Sequence, residues 1–285
     1  MKLMRLGKRG FEKPAVWASE NSAIDVSSIV TDFDPSFFAD GGIEKISAAI
    51  AKGGLPNIQL ESVRIGAPVT RPGKLMAVGK NYAEHAKETN SAVPEKPIFF
   101  VKATSAINGP FDDVVLPANY TTVDYEVELA LVIGRRAKRV DRTAALAHVA
   151  GYLICNDVTE RTAQAKEGSQ WFRGKSFDTF APLGPFLVTP DEVGNPHALS
   201  LVCRVDGEVR QNGHTKDFIF DIPYLIEFIS RNVTLEPGDI ITTGTPAGVG
   251  HGMNPPVYLK AGQEMELEVT GLGQQRTRLA AEKLL

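Results

Sequence analysis

Short apolar runs bounded by turn residues recur along the chain after Lys74. Runs of this length, rich in β-branched residues and separated by Gly, Pro, Asn and Asp, are typical of β-strands. The pattern predicts strands over KLMAVG (74–79), KPIFFVK (96–102), DVVLP (113–117), DYEVELALVIG (124–134), FLVTP (186–190), LSLVCRVDGEV (199–209), GDIITTG (238–244) and EMELEVTG (264–271). We therefore expect a mainly β body, with one large rolled or sandwiched sheet and helices packed on its outside.

Apolar residues at helical spacing occur in fewer places. They predict helices over residues 142–154 and 221–232, and over the segment GGIEKISAAIAKGG, which starts at Gly41 and has glycines at both ends. The segment GAPVTRPGK (66–74) carries two prolines and two glycines, as junctions between structural units often do. The expected fold class is thus α+β and mainly β.

The junction divides the chain into two expected units. The first is a small N-terminal α+β module over residues 1–70, where short apolar segments alternate with turns. The second is the main β domain over residues 74–285.

Composition narrows the class of protein. The 285 residues are 43% hydrophobic and 23% charged, with 34 acidic and 31 basic side chains and a net charge of −3. A disordered chain would be poorer in apolar residues and less balanced in charge. Binding to nucleic acid or to anionic lipid needs a basic face, which a near-neutral chain does not favour. The basic run GRRAKRVDR (134–142) follows a predicted strand, and we interpret it as a solvated loop.

Cysteine content and hydropathy indicate the compartment. Cys155 and Cys203 are too few for a disulfide framework or a thiolate zinc site, so we expect two buried small residues. The N-terminus lacks the apolar core of a signal peptide, and no apolar run approaches the ~18 residues of a membrane span. We expect a cytoplasmic protein without membrane or nucleic-acid partners.

Three carboxylates alternate along one predicted strand. Asp124, Glu126 and Glu128 share a face if the strand is regular, because successive side chains point to opposite faces. This face could be solvated, but it continues with Ala130 and Val132, which indicates that it enters a core. Crowded buried carboxylates repel one another unless a cation neutralises them, and Mg²⁺ or Mn²⁺ prefers such oxygen ligands.

Asp157 is the best candidate for a further ligand from another element. Asn156 and Asp157 follow the apolar run GYLIC (151–155), at the point where the chain is expected to leave a core. The alternative is that Asp157 has only a structural role, at a turn or at a helix N-cap. The residues after it look like the start of a helix, with Arg161 and Gln164 on one face.

His85 and Glu88 are three residues apart in the polar segment GKNYAEHAKE (79–88). In a helix the carboxylate could orient the imidazole and raise its basicity, which would make a general-base dyad. A solvated pair without catalytic use is the alternative.

The glycine-rich segment TTGTPAGVGHG (242–252) lacks the Lys-Ser/Thr of a phosphate-binding P-loop and the context of a dinucleotide fingerprint. Its backbone N–H groups could approach a small anion, with the hydroxyl of Thr245 added; a flexible turn is equally compatible. Lys175 is a lone cation that could equally be a surface lysine.

These strings, taken together and in order, resemble the fumarylacetoacetate hydrolase family. The matching segments are GKNYAEHAKE (79–88), KATSAINGP (102–110), DYEVELALVIG (124–134), GYLICNDVTERTAQ (151–164), GKSFDTFAPLGPFLVTPDE (174–192), TLEPGDIITTGTPAGVG (234–250) and PPVYLKAGQEMELEV (255–269). The resemblance implies a mixed β-sandwich roll and a homodimer. The longer eukaryotic-type members use a further upstream aspartate ligand, which this chain lacks, so it resembles the compact bacterial members acting on 2-oxo acids.

The resemblance also assigns roles to residues. It implies that Mg²⁺, or Mn²⁺ or Ca²⁺, is bound by Glu126, Glu128 and Asp157, with Asp124 only a neighbour. It places His85 and Glu88 on a lid and Lys175 beside the metal, with Thr179 nearby. The positions that match substrate contacts are Arg161, Gln164 and Thr245.

The implied reaction is hydrolysis of a carbon–carbon bond in a 2,4-dioxo acid, either an acylpyruvate or a 2,4-dioxo-3-deoxy sugar acid. His85 would deprotonate the attacking water, while the metal and Lys175 stabilise the pyruvate enolate. Oxaloacetate decarboxylation and isomerisation or decarboxylation of 2-hydroxyhepta-2,4-diene-1,7-dioate are alternatives on the same scaffold. A metal-stabilised binding protein without turnover is a further alternative, which the presence of a base disfavours.

Overall fold

The computed structural model describes residues 1–283. Its strands are β1 (Lys2–Leu6), β2 (Lys13–Ser19), β3 (Ser22–Asp25), β4 (Asn57–Gln59), β5 (Ile65–Gly66), β6 (Leu75–Gly79), β7 (Ile98–Lys102), β8 (Ile107–Asn108), β9 (Val114–Leu116), β10 (Val123–Asp124), β11 (Val127–Ile133), β12 (Val149–Asn156), β13 (Thr159–Glu160), β14 (Ala181–Pro182), β15 (Leu187–Val188), β16 (Ser200–Val205), β17 (Glu208–His214), β18 (Ile240–Thr242), β19 (Glu264–Val269) and β20 (Gly273–Ala281). The α-helices are α1 (Pro35–Ala39), α2 (Gly42–Lys52), α3 (Ala83–Glu88), α4 (Arg161–Lys166), α5 (Phe172–Lys175), α6 (Pro190–Val193) and α7 (Ile222–Ser230). Short 3-10 helices cover Thr104–Ala106, Arg142–His148, Thr215–Asp217 and Gly250–Gly252.

An 11-stranded mixed sheet forms the centre of the molecule, in the order β4-β3-β2-β1-β15-β12-β11-β18-β6-β7, with β5 on β1. Its middle strands β11 and β12 are buried along their whole length, as their nearly continuous apolar sequences require. Their antiparallel register sets Val127 opposite Asn156, so the start of β11 lies beside the end of β12.

A second, five-stranded sheet packs on the first in the order β17-β16-β19-β20-β9. Residues of both sheets belong to one continuous apolar core, with Leu129 and Ile154 from the first sheet and Leu201 and Leu267 from the second. Burying the facing apolar sides of two sheets is what stabilises this arrangement. The expectation of an α+β, mainly β sandwich with helices on its outside is confirmed. No helix within residues 1–283 combines the length and apolar character that a membrane span requires.

The first 70 residues join the central sheet. Strand β1 pairs antiparallel with β15, with Leu3 opposite Leu187. An ion pair between Arg64 and Asp112, 2.5 Å apart, adds a polar link to the main domain. The division into two units stays a prediction. Backbone hydrogen bonds between β1 and β15 connect the two predicted units within one sheet.

The helix predicted over residues 142–154 is wrong. A short 3-10 helix covers Arg142–His148, and strand β12 begins at Val149. A strand buried on both faces reads as a continuous apolar run, and periodicity cannot separate such a run from a buried helix. The other helices predicted by spacing are present as α2 and α7, and the helix on which His85 and Glu88 depend is α3.

Candidate active site

Three carboxylates meet where β11 starts and β12 ends. Glu126 and Glu128 stand at the start of β11, and Asp157 follows the last residue of β12. The antiparallel register brings these two ends together, and the backbone N–H of Asp157 donates to the carbonyl of Glu126 over 2.9 Å. One oxygen from each carboxylate lies within 4.8 Å of the others. We call these three residues the carboxylate triad.

Asp124 is held apart from the triad. The predicted regular strand is interrupted after β10, so Asp124 and Glu128 belong to different strands. The carboxylate of Asp124 accepts hydrogen bonds from the Arg161 guanidinium at 2.8 and 3.0 Å, and from the backbone N–H groups of Gly250 and His251. Its oxygens are therefore occupied by protein donors.

Three buried cations surround the triad. Lys175 Nζ lies 2.7 Å from Glu126 and 2.6 Å from Asp157, and Lys102 Nζ lies 2.6 Å from the other oxygen of Asp157. Arg161 lies 2.8 Å from Glu126. Since Lys175 is only 2% exposed, the alternative of a surface lysine is excluded.

The two glutamates of the triad experience opposite electrostatic environments. Burial raises the pKa of Glu126, but the adjacent Lys175 and Arg161 outweigh it and bring that pKa to about 2. Burial, and then the charges of Asp157 and Glu126, raise the pKa of Glu128 well above its usual value. In the metal-free protein Glu126 is therefore ionised, while Glu128 tends to hold a proton.

The chemistry of these groups suits a hard divalent cation. Glu128 forms no ion pair with any described residue, and its carboxylate accepts a hydrogen bond from the N–H of Gly244 at 2.9 Å. A divalent ion among the triad would supply the opposite charge that Glu128 lacks, through the oxygen donors that Mg²⁺ and Mn²⁺ prefer.

His85 and Glu88 form a dyad above the triad. Helix α3 sets them one turn apart, and His85 Nδ1 lies 2.7 Å from Glu88 Oε1. The second carboxylate oxygen, Oε2, accepts the backbone N–H of Gly248 at 2.8 Å. Glu88 thus orients the imidazole and also joins α3 to the glycine-rich segment. Because Glu88 accepts a hydrogen bond from Nδ1, the other ring nitrogen of His85, Nε2, is left available. This geometry excludes a freely solvated pair.

The glycine-rich segment binds the protein's own carboxylates. Its backbone N–H groups at Gly244, Gly248 and Gly250 donate to Glu128, Glu88 and Asp124, respectively. We refer to residues 243–252 as the glycine loop. At Gly248 the φ angle is +106° and an added Cβ would lie 2.0 Å from the Arg210 carbonyl oxygen, so a side chain does not fit. Of the two interpretations left open by the sequence, anion binding or a flexible turn, the structure favours the first, and the anions are carboxylates of the protein itself.

The predicted substrate contacts lie along the same cavity. A cavity of about 200 Å³ is lined by the triad, His85 and Lys175 together with Arg161, Gln164 and Thr245. Gln164 accepts from Arg161 at 3.2 Å, and the hydroxyl of Thr245 is already bonded to the Val127 carbonyl and to Gln211. Thr179 is buried and does not line the cavity. Its hydroxyl accepts a hydrogen bond from the backbone N–H of Val115.

Lys102 and His251 are among the residues of the site that were not found from the sequence. Lys102 ends strand β7 and reaches Asp157 from a position 55 residues away, and a single lysine after an apolar strand was the only local sign of it. His251 lines the cavity, although its sequence context shows no partner nearby.

The chain belongs to the fumarylacetoacetate hydrolase family. The family model described as fumarylacetoacetate (FAA) hydrolase C-terminal matches residues 74–280. The family assignment made from the sequence is thereby confirmed, and the protein is an enzyme of a family that contains hydrolases and isomerases.

Individual relatives span nearly the whole chain. A 2,4-didehydro-3-deoxy-L-rhamnonate hydrolase from Sphingomonas sp. (strain SKA58) is 46% identical over 285 residues, covering 98% of this chain and 96% of its own. Maleylpyruvate hydrolase from Sphingobium sp. SYK-6, solved with manganese(II) and pyruvate, is 30% identical with a TM-score of 0.82, covering 99% of this chain and all of its own. A 2-hydroxyhepta-2,4-diene-1,7-dioate isomerase from Mycobacterium marinum is 33% identical with a TM-score of 0.79, and both chains are fully covered.

Proposed function

We propose that this protein is a divalent-metal-dependent hydrolase that converts a 2,4-dioxo acid and water into pyruvate and a carboxylic acid. The observation that carries the proposal is one cavity in which an oriented histidine faces three buried carboxylates. Among 2,4-dioxo acids we favour a 2,4-dioxo-3-deoxy sugar acid. The Sphingomonas relative named for such a substrate supports this choice.

Each group of the cavity has a role in this reaction. A divalent ion held by Glu126, Glu128 and Asp157 would polarise the substrate's oxygen atoms and offset developing negative charge. His85 removes a proton from a water molecule that attacks the 4-carbonyl carbon, and Glu88 stabilises the resulting imidazolium. The bond between C3 and C4 then breaks, and its electron pair stays with the pyruvate fragment as an enolate.

Lys175 stabilises the negative charge of the enolate, and Arg161 contributes to binding the substrate. The ammonium of Lys175 is buried beside Glu126 and Asp157, where charge–charge interactions are stronger than in water. A proton delivered to C3 gives pyruvate. We assign contact with the substrate carboxylate to Arg161 and Gln164, and their position in the cavity lining supports this assignment.

Isomerisation or decarboxylation is the second candidate function. It needs no attacking water, and the fold shared with the Mycobacterium marinum isomerase supports it. The two candidates predict different products from the same assay. A binding protein without turnover would give no product.

The deciding experiment offers the protein a panel of 2-oxo acids with Mg²⁺ or Mn²⁺ and identifies the products. A hydrolase releases pyruvate and a carboxylic acid from 2,4-dioxo acids, with one oxygen atom of the acid derived from ¹⁸O-labelled water. Decarboxylation of oxaloacetate or a double-bond shift in the diene dioate, without hydrolysis, would overturn the proposal. The same panel determines the preferred metal. The homodimer expected from the family resemblance is tested by light scattering of the full chain.

The role of His85 has its own test. His85→Ala removes the base but no member of the triad, so we expect kcat to fall by about 10²–10⁴ while the affinity for Mn²⁺ stays within about twofold. Steady-state kinetics and isothermal titration calorimetry measure the two quantities. A normal kcat would remove the dyad from the mechanism.

A further inference from the structure

His251 lies at the open end of the catalytic cavity. The triad and Lys175 form its buried end, where each side chain is at most 4% exposed, whereas His251 is exposed and still lines the same cavity. A 2,4-dioxo acid bound with its carboxylate end at the triad therefore directs the substituent on C4 toward His251.

The protein holds His251 in a defined orientation. Its backbone N–H donates to Asp124 at 2.9 Å, within the 3-10 turn Gly250–Gly252. Its Nδ1 lies 2.9 Å from the hydroxyl of Tyr258, and the two rings stack with centroids 6.1 Å apart and planes inclined by 29°. Since one ring nitrogen is fixed by Tyr258, the other is set at a definite position without a bond to any described residue.

Other polar groups line the same cavity, among them Ser91, Gln164 and Lys80. The hydroxyl of Ser91 donates to the Thr89 carbonyl, and Gln164 accepts from Arg161. Phe100 and Trp171, in edge-to-face contact at 5.4 Å, also line the cavity, and Lys80 Nζ lies 5.9 Å from the centroid of the Trp171 ring. His251 stands out among them because Tyr258 orients its ring and leaves the second ring nitrogen without a bond to any described residue.

We propose that the free Nε2 of His251 binds a hydroxyl group on C5 of the substrate, and that His251 with Tyr258 sets the preference for hydroxylated 2,4-dioxo acids over acylpyruvates. A hydroxyl both donates and accepts, so it matches either tautomer of the ring. Burial and the nearby Arg161 lower the pKa of His251, which keeps the ring neutral and suits a neutral partner better than a distal carboxylate. The assignment rests on the proposed hydrolase function.

The test compares substrates that differ in one group. The Mn²⁺-loaded wild-type enzyme is assayed with 5-hydroxy-2,4-dioxohexanoate, with its 5-deoxy analogue 2,4-dioxohexanoate, and with 2,4-dioxohexanedioate, which carries a distal carboxylate. The readout is the ratio of kcat/KM between the hydroxylated and the deoxy substrate. Because both substrates meet the same triad and dyad, the ratio isolates the distal contact.

Three variants then change the contact in graded steps. In His251→Leu we expect the ratio to fall about tenfold, through a higher KM for the hydroxylated substrate, as for the loss of one hydrogen bond. His251→Gln keeps a polar atom and should restore part of the preference. Tyr258→Phe removes only the orienting hydroxyl and should give an intermediate ratio.

The outcomes separate this assignment from the proposed function. If the wild-type enzyme hydrolyses neither the hydroxylated nor the deoxy substrate, the proposed function fails and the assignment fails with it. If it hydrolyses both and the ratio is the same in His251→Leu, the assignment alone is overturned. A loss confined to 2,4-dioxohexanedioate would also overturn it, since His251 would then serve a carboxylate. Unchanged Mn²⁺ affinity in calorimetry of each variant shows that the triad is intact.

Discussion

Glu126 and Glu128 are separated by one residue, yet their surroundings move their pKa values in opposite directions. The difference arises from partners and not from depth, since both side chains are buried. Glu126 contacts Lys175 and Arg161, whereas Glu128 faces Asp157 and Glu126. The two residues should therefore respond differently to the same neutral substitution.

Replacing each glutamate by glutamine separates folding from metal binding. In the metal-free protein, Glu126→Gln should lower the free energy of unfolding by about 3 kcal/mol, because it leaves two buried cations short of a partner. Glu128→Gln resembles the protonated side chain and should change that free energy by less than about 1 kcal/mol. Both should lower Mn²⁺ affinity at least a hundredfold. Urea unfolding and calorimetry measure these effects, and an equal loss of stability in both variants would contradict the assigned charges.

Metal binding should also release a proton. Because the pKa of Glu128 is raised, the metal-free carboxyl holds its proton at pH values where an ordinary glutamate is ionised. A divalent ion needs the carboxylate form, so the apparent affinity should fall as the pH is lowered, by up to about tenfold per pH unit. Calorimetry in buffers of different ionisation enthalpy counts the released protons. An affinity that does not vary between pH 5 and pH 8 would show that Glu128 is already ionised.

Helix α3 is joined to the glycine loop by one side chain. Glu88 joins it to the glycine loop through the N–H of Gly248, and an added Cβ on Gly252 would lie 2.8 Å from the Glu88 carboxylate carbon. With only six residues, α3 has little stability of its own. We therefore expect this contact to contribute to holding α3 in place.

Removing the contact should loosen α3 without disturbing the triad. In Glu88→Ala we expect faster amide hydrogen exchange over residues 83–88 and at Gly248, with Mn²⁺ affinity unchanged. His85→Ala is the matched control, since it keeps the bond from Gly248 to Glu88 and should raise exchange in α3 less. Equal exchange in both variants would show that other contacts hold the helix.

The strands were accessible to sequence reasoning because their signal is local. The apolar runs that became β6, β11, β16 and β19 stand out between turn residues. Strand β12 did not, since it lacks alternation and its apolar run follows the Arg142–His148 segment without a turn residue between them. The segment before β12 has apolar residues at helical spacing, but only its residues Arg142–His148 are helical, as a 3-10 helix.

The candidate site was partly accessible for the same reason. The spacing of Glu126 to Glu128 and of His85 to Glu88 is local, so it could be read directly. The contacts of Lys102 with Asp157 and of Asp124 with Arg161 join segments that are distant in the sequence. No period in the sequence encodes such contacts, and only the fold brings them together.

At the scale of the whole molecule, the N-terminal strands and the main domain share one sheet. Leu3 is fully buried opposite Leu187, and the β1–β15 pairing continues the sheet that carries the triad. Separate unfolding of the first 70 residues would expose this sheet edge to water. We therefore expect the chain to unfold in a single cooperative transition.

The two tryptophans allow this to be measured. Trp17 lies in β2 and Trp171 lines the catalytic cavity, so each reports on a different region. Leu3→Ala should lower the free energy of unfolding by about 2–5 kcal/mol. In single-tryptophan variants that keep Trp17 or Trp171, the midpoint should shift equally for both probes. Two separate midpoints would show that the N-terminal region unfolds by itself.

The buried cations around the triad have a consequence for the order in which ligands arrive. Lys102, Arg161 and Lys175 face the triad and Asp124, so the site is close to neutral while Glu128 keeps its proton. It becomes net positive once a divalent ion displaces that proton. We therefore expect an anionic dioxo acid to bind the metal-loaded enzyme more tightly than the metal-free one, and steady-state kinetics should show ordered addition, with the metal first and the substrate second.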